Sequence, residues 1–256
     1  MIIDAHVHLS EDGKWFNSLY DSSLTKLLDS LEESDIDKAI VLPIAPFIKN
    51  DFVKSVTERY SEKLIGFCSI DPKDSKGLAE LKRCCRSGDF FGVKLHPRIQ
   101  QTAILDSTIG SIIEMAASYD LPVIIDAWVY PHDTQGIQVI DSFIFLSSEH
   151  PEAKIILPHL GGFMYKSMPR VASETKNIWF DISYIFSRFN MDLLQREICP
   201  VLEKIGYDRL IYGSDFPEVG IKQYKQIANE LFEFLNWPDA WKHDVFYRNI
   251  MRLIYM

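Results

Sequence analysis

Ala39-Ile40-Val41-Leu42, and again Ile155-Ile156-Leu157, are short apolar runs without the in-out alternation of a half-exposed strand. A strand covered on both faces reads this way, and such strands belong to parallel sheets flanked by helices. Working outward from these two, comparable β-branched runs recur at residues 1–7, 38–43, 64–70, 91–95, 122–127, 154–158, 177–183 and 209–213. Between them lie stretches with helical spacing. Residues 23–34 put Leu24, Leu27, Leu28 and Leu31 on one face, the i, i+3, i+4, i+7 pattern of an amphipathic helix. Residues 52–60, 77–85, 108–119, 137–148, 191–205 and 222–234 read the same way, while Pro169 interrupts 164–175. A further helix is expected over 240–254. Eight strands alternating with eight helical stretches predict right-handed crossovers and a parallel α/β sheet. Eight units close that sheet into a single (β/α)8 TIM barrel, one domain over residues 1–256 with an extra C-terminal helix. A doubly wound open sheet is the alternative.

Length and composition agree with a globular chain. At 256 residues, 47% hydrophobic and 25% charged, it buries enough surface to do without disulfide staples. Cys68, Cys84, Cys85 and Cys199 have neither metal-site spacing nor the pattern of a secreted framework, and are read as reduced packing residues. The net charge of −9 argues against a nucleic-acid partner, which calls for a concentrated basic patch. No run of about 18 apolar residues is present, so no membrane span is expected. Asp4 and His6 stand where a signal peptide needs an apolar core, so the expected location is cytoplasmic.

In a barrel, reactive groups stand where strands end. Strand 1 ends in His6-Val7-His8, and side chains two apart on a strand share a face, so both imidazoles are expected in the barrel mouth. Two neutral imidazoles on one face begin a divalent metal site. An H-x-H pair alone is a weak signal; its position and company strengthen it. Strand 8 ends in Tyr212-Gly213-Ser214-Asp215-Phe216-Pro217. Closure sets it beside strand 1, where Asp215 can ligate the ion or take a proton from an activated water. Strand 6 ends in Pro158-His159-Leu160-Gly161-Gly162, which offers His159 as a third nitrogen ligand or as acid/base. A histidine satisfied by backbone is the plainer reading. Strand 4 gives Lys94, His96 and Arg98 in alternation, on one face if the strand stays regular. Such a cluster suits a carboxylate-bearing substrate, or else a salt-bridged support layer.

Ile3-Asp4-Ala5-His6-Val7-His8 resembles the opening of the amidohydrolase superfamily. Gly92-Val93-Lys94-Leu95-His96-Pro97, His159-Leu160-Gly161-Gly162, Tyr212 to Pro217 and the closing Asn249-Ile250-Met251-Arg252-Leu253 are similar to its amidohydrolase-related branch. That branch holds metal-dependent hydrolases and decarboxylases of the aminocarboxymuconate-semialdehyde and resorcylate types. The resemblance implies that His6 and His8 are strand 1 ligands, Asp215 the strand 8 ligand or base, and His159 the strand 6 histidine near the metal. It also implies a structural or supporting role for Asp181. One position departs. Where the family carries a metal-binding histidine after a Pro-Val-apolar run, this chain has Asp126, a harder, anionic donor that favours manganese over zinc. His132, in the following loop, is a substitute without geometric support.

The leading expectation is therefore a metal-dependent hydrolase using one divalent ion, zinc first and manganese second. Its substrate is a small, anionic ester, lactone or amide anchored by Lys94, His96 or Arg98. Trp15, Phe16, Trp128, Tyr130, Phe163 and Tyr184 are candidates to shape the pocket. Non-oxidative decarboxylation of an aromatic or unsaturated acid is the rival on the same site. A lapsed barrel that only binds a ligand is the rival from another class, and homo-oligomerisation stays open.

Overall fold

A computed structural model describes residues 1–16, 18–130 and 136–255; His132 lies outside the described residues. The parallel strands are β1 (Ile3–Val7), β2 (Lys38–Val41), β3 (Leu64–Gly66), β4 (Cys68–Ser69), β5 (Val93–Leu95), β6 (Val123–Ile125), β7 (Ile155–Leu157), β8 (Ile178–Asp181) and β9 (Leu210–Ile211). They pair in sequence order, β1 to β3 and β4 to β9. Phe67 breaks one stave of the barrel into β3 and β4, yet spans the two sheets. Its N–H donates to Val41 O at 3.1 Å, and the Cys68 N–H donates to Gly92 O at 2.9 Å. At the other seam the Ala5 N–H reaches Tyr212 O at 3.0 Å and the Asp215 N–H reaches His6 O at 2.9 Å. These bonds close the ring of eight staves predicted from the sequence.

The alternation inside each strand sets the two layers of the core. Ile40, Leu42, Ile65, Phe67, Ile124, Ile156 and Ile211 form one buried cluster within the ring, with Ile3 and Ala5. The C-terminal helical segment plugs this cluster with Ile250, Leu253 and Ile254. Their neighbours Val41, Val93, Val123, Leu157 and Phe180 belong instead to the larger cluster beneath the outer helices. Parallel strands need apolar residues at every position for this reason.

β1 breaks the alternation. Asp4 is opposite Ala39 and Val7 is opposite Val41, three steps on one strand against two on the next. Such a bulge re-aims the side chains that follow it. Ile3 and Ala5 join the interior cluster before it, while His6 and His8 turn into the barrel mouth after it. Asp4 fastens the bulge, its Oδ1 accepting the backbone N–H of His6 at 3.2 Å and of Ser214 at 2.8 Å.

Two local expectations change. The strand at 91–95 ends at Leu95, and Pro97–Gln100 forms one helical turn with His96 as its N-cap. Lys94, His96 and Arg98 therefore do not alternate along one strand, because Pro97 cannot donate to a ladder but suits the first turn of a helix. Pro169 likewise opens the helix Met168–Glu174 rather than interrupting it. All four cysteines are free, with Cys68, Cys84 and Cys199 buried. No helix among the described residues is long and apolar enough to cross a membrane.

Candidate active site

The histidines of β1 are each held through one ring nitrogen, which leaves the other for chemistry. His6 Nδ1 lies 2.5 Å from Asp181 Oδ2, and His8 Nδ1 donates to Leu42 O at 2.7 Å. A histidine fixed in this way presents its Nε2 lone pair with the tautomer set by the partner on Nδ1. Asp215 Oδ1 sits 3.4 Å from His6 Nε2 and 3.3 Å from His8 Nε2. The three donor atoms lie within 4.8 Å of one another, and all three residues are buried. Burial pushes the His6 imidazole well below its ordinary pKa, assisted by the Lys94 amine, so it is neutral and able to ligate. Asp215 is opposed by burial, yet His159, His8 and His6 hold its carboxyl well below the usual range.

Asp215 occupies the left-handed backbone region at φ 72°, which aspartate tolerates better than most residues. The turn after β7 is more extreme. His159, Leu160, Gly161 and Gly162 have φ of 60°, 48°, 69° and 63°. At Gly162 an added Cβ would meet Val129 N and O at 2.9 Å, so only glycine fits. The turn sets the His159 ring centroid 4.9 Å from that of His6. Ser183 links the two rings, its Oγ 2.9 Å from His159 Nδ1 and 3.1 Å from His6 Nδ1.

Asp126, at the end of β6, stands beside the His6, His8, Asp215 group and outside it. Its Oδ1 is 3.6 Å from His159 Nε2; its Oδ2 is 3.5 Å from His96 Nδ1 and 3.9 Å from Arg98 Nε. Burial works against this charge, and His96, His159, Lys94 and Arg98 overcome it, holding the carboxyl well below the usual range. Burial pushes His96 down to about 3 despite Asp126. The Lys94 amine, also lowered by burial, sits 3.5 Å from His6 Nε2.

These groups line a cleft of about 380 Å³ together with Trp15, Phe16, Trp128, Tyr130, Phe163 and Tyr184, the six aromatics expected there. Trp15 stacks on His8 at 4.6 Å and 19°, and its Nε1 donates to Glu218 Oε1 at 2.9 Å. Arg188, Glu218 and the bridging Ser183 were not anticipated. They follow strand ends by two to seven residues, in loops or, for Arg188, in the short 3-10 turn Ile185–Arg188, where no periodicity marks an inward side chain. Two imidazole nitrogens and one carboxylate oxygen facing an open cleft fit a divalent ion with coordination positions left for water or substrate.

The amidohydrolase family model matches residues 3–254, and the chain belongs to this family. No curated protein matches its sequence. Among solved structures it is similar to an amidohydrolase from Burkholderia multivorans with bound zinc: 13% identity, TM-score 0.78, covering 100% of this chain and 99% of the other. A probable 2-pyrone-4,6-dicarboxylic acid hydrolase from Acinetobacter baumannii, with citric acid bound, is 16% identical with TM-score 0.71, covering 100% and 99%. The 2,6-dihydroxybenzoate decarboxylase from Rhizobium is 16% identical with TM-score 0.71, covering 99% and 98%. At these identities the similarity concerns the fold. Hydrolases and decarboxylases both stand on it.

Proposed function

We propose that this chain is a metal-dependent hydrolase of a small, carboxylate-bearing ester, lactone or amide. The convergence of His6 Nε2, His8 Nε2 and Asp215 Oδ1 in a cleft that also presents Lys94, Arg98 and Arg188 carries this reading. A divalent ion held there, zinc first and manganese second, supplies Lewis acidity toward a carbonyl and toward water. The chain's own residues do the rest. Asp215, kept ionised among three imidazoles, accepts the proton of the attacking water. His159, hydrogen-bonded to Ser183 and facing the cleft, stands ready to pass a proton to the leaving group. Lys94 and Arg98 hold the substrate carboxylate, and the aromatic walls keep bulk water from the reacting carbonyl. The citric acid and dihydroxybenzoate bound by proteins of this fold are small anions of the same kind.

Non-oxidative decarboxylation is favoured by a different observation, the aromatic lining of the cleft: Trp15, stacked on His8, and the edge-to-face rings of Trp128 and Tyr184. Such a lining suits a planar aromatic acid. One experiment separates the two. Chelator-stripped protein, reloaded with zinc or manganese, is assayed on lactones, esters and amides of dicarboxylic acids and on hydroxybenzoates, with carbon dioxide followed in parallel. Metal-dependent opening of a lactone, ester or amide is expected. Release of carbon dioxide alone would transfer the assignment to the lyase, and failure to bind either ion would leave a barrel that only binds ligands.

A further inference from the structure

Asp126 occupies the strand end where a metal-ligating histidine was expected, and its surroundings are not those of a ligand. Three side chains from two neighbouring strand ends approach its two oxygens: His159 Nε2 lies 3.6 Å from Oδ1, while Arg98 Nε and His96 Nδ1, which also accepts the Ile99 N–H, lie 3.9 and 3.5 Å from Oδ2. The backbone fixes it there, with the Asp126 N–H donating to Leu95 O at 3.0 Å beside β5. The Asp126 side chain is almost fully buried, while Arg98 is half exposed at the cleft rim. Arg98 approaches Asp126 through Nε at 3.9 Å, an ion pair longer than a hydrogen bond. Among the described residues no other carboxylate pairs with Arg98, and its guanidinium lies over the Tyr130 ring at 5.6 Å.

We propose that Asp126 lies outside the metal-ligand set and acts as a positioning residue, orienting Arg98 as the clamp for a substrate carboxylate. The proposal rests on the hydrolase reading for its metal and on the geometry around Asp126 for its clamp. It explains the exchange of histidine for aspartate. An imidazole at this position would present a neutral ring to Arg98, whereas a carboxylate holds the guanidinium in place through charge. The residues that would hold the ion are then His6, His8 and Asp215.

The test separates metal from anion. Zinc and manganese affinities are measured by chelator competition on wild type, Asp126→Asn and Arg98→Lys. Glutarate, a simple dicarboxylate, is titrated calorimetrically into the metal-free form of each, with thermal melts to check folding. Asp126→Asn is expected to keep both metal affinities within about threefold while weakening glutarate by about fivefold or more. Arg98→Lys, at the rim and outside the core, is expected to weaken glutarate similarly, and the double variant to be no weaker than Arg98→Lys alone. A tenfold or greater loss of metal affinity in Asp126→Asn would make Asp126 a ligand and overturn the proposal. Glutarate binding that is absent in wild type, or unchanged in both variants, would overturn the clamp. A wild type that binds no ion would sink the hydrolase reading and leave the glutarate result to be read separately.

Discussion

The two ends of this barrel are built from the same staves and have opposite contents. At the N-terminal end of the strands, Ile3, Ile40, Ile65, Ile124 and Ile156 meet Ile250, Leu253 and Ile254 in a wholly apolar plug. At the other end, a few residues further along the staves, stand His6, His8, Lys94, His96, Asp126, His159, Asp181 and Asp215, all of them buried. The first end gains stability from every methylene it removes from water. The second places charged and polar groups in a site where desolvation opposes each charge, and holds them only by pairing one with another. One scaffold therefore carries stability at one end and chemistry at the other.

The largest effect expected from breaking this division is at the mouth. The double variant His6→Ala, His8→Ala should lose kcat/KM by about 1,000-fold or more, and bound metal should fall from about one ion per chain to almost none. Elemental analysis beside a melting curve checks both. Activity that survives without metal would end the assignment of this end to metal chemistry. At the plug, Leu253→Ala should cost about 2–5 kcal/mol of stability, read by denaturant unfolding, and leave metal content and KM unchanged. A shifted KM would show that the ends are coupled.

A third prediction concerns the seam between them. Burial pushes the Asp4 carboxyl up to about 7, against about 4 in an unfolded chain. With the folded value above the unfolded one, folding favours the protonated form. This contribution is complete below about pH 4 and is lost as pH rises through about 7. Asp4→Asn should remove that slope, so metal-free wild type should lose stability relative to the variant across this window, by roughly 1–4 kcal/mol. Parallel curves would mean that Asp4 is ionised throughout. The smallest effect is expected from Asp181→Ala, which leaves His6 Nδ1 with Ser183 Oγ as its partner and should weaken metal binding by about 10–100-fold without abolishing it. Chelator competition measures this directly, and an unchanged affinity would make Asp181 a purely structural support.

The plug end was the more legible of the two in the sequence. Runs such as Ala39-Ile40-Val41-Leu42 announce a doubly covered strand because burial on both faces leaves no room for polar residues. Eight of them determine the barrel. The break at Phe67 was not legible, since it changes hydrogen bonding without changing hydrophobicity. At the mouth, His6, His8, Asp215, His159 and the six aromatics were found because strand ends are where a barrel concentrates its chemistry. Arg98 was found for the wrong reason. It reaches the cleft from the helical turn after Pro97, not by alternation along β5. Glu218 and Ser183 lie in loops, and Arg188 in the short 3-10 turn Ile185–Arg188, whose paths depend on tertiary contacts that no local pattern encodes.

The bulge in β1 ties the length of the strand to the direction of its side chains. Ile3 and Ala5 face the barrel interior, and in an unbroken strand His6 and His8 would share the outward face of Asp4. A single extra residue brings both imidazoles inward together. A stave one residue shorter, lacking Ala5, would run in regular alternation with both imidazoles still facing inward, so the bulge absorbs one residue without turning the site away. Regular pairing at the full length would instead turn both imidazoles outward, so the direction of His6 and His8 is set by how many residues precede them and not by their identity alone.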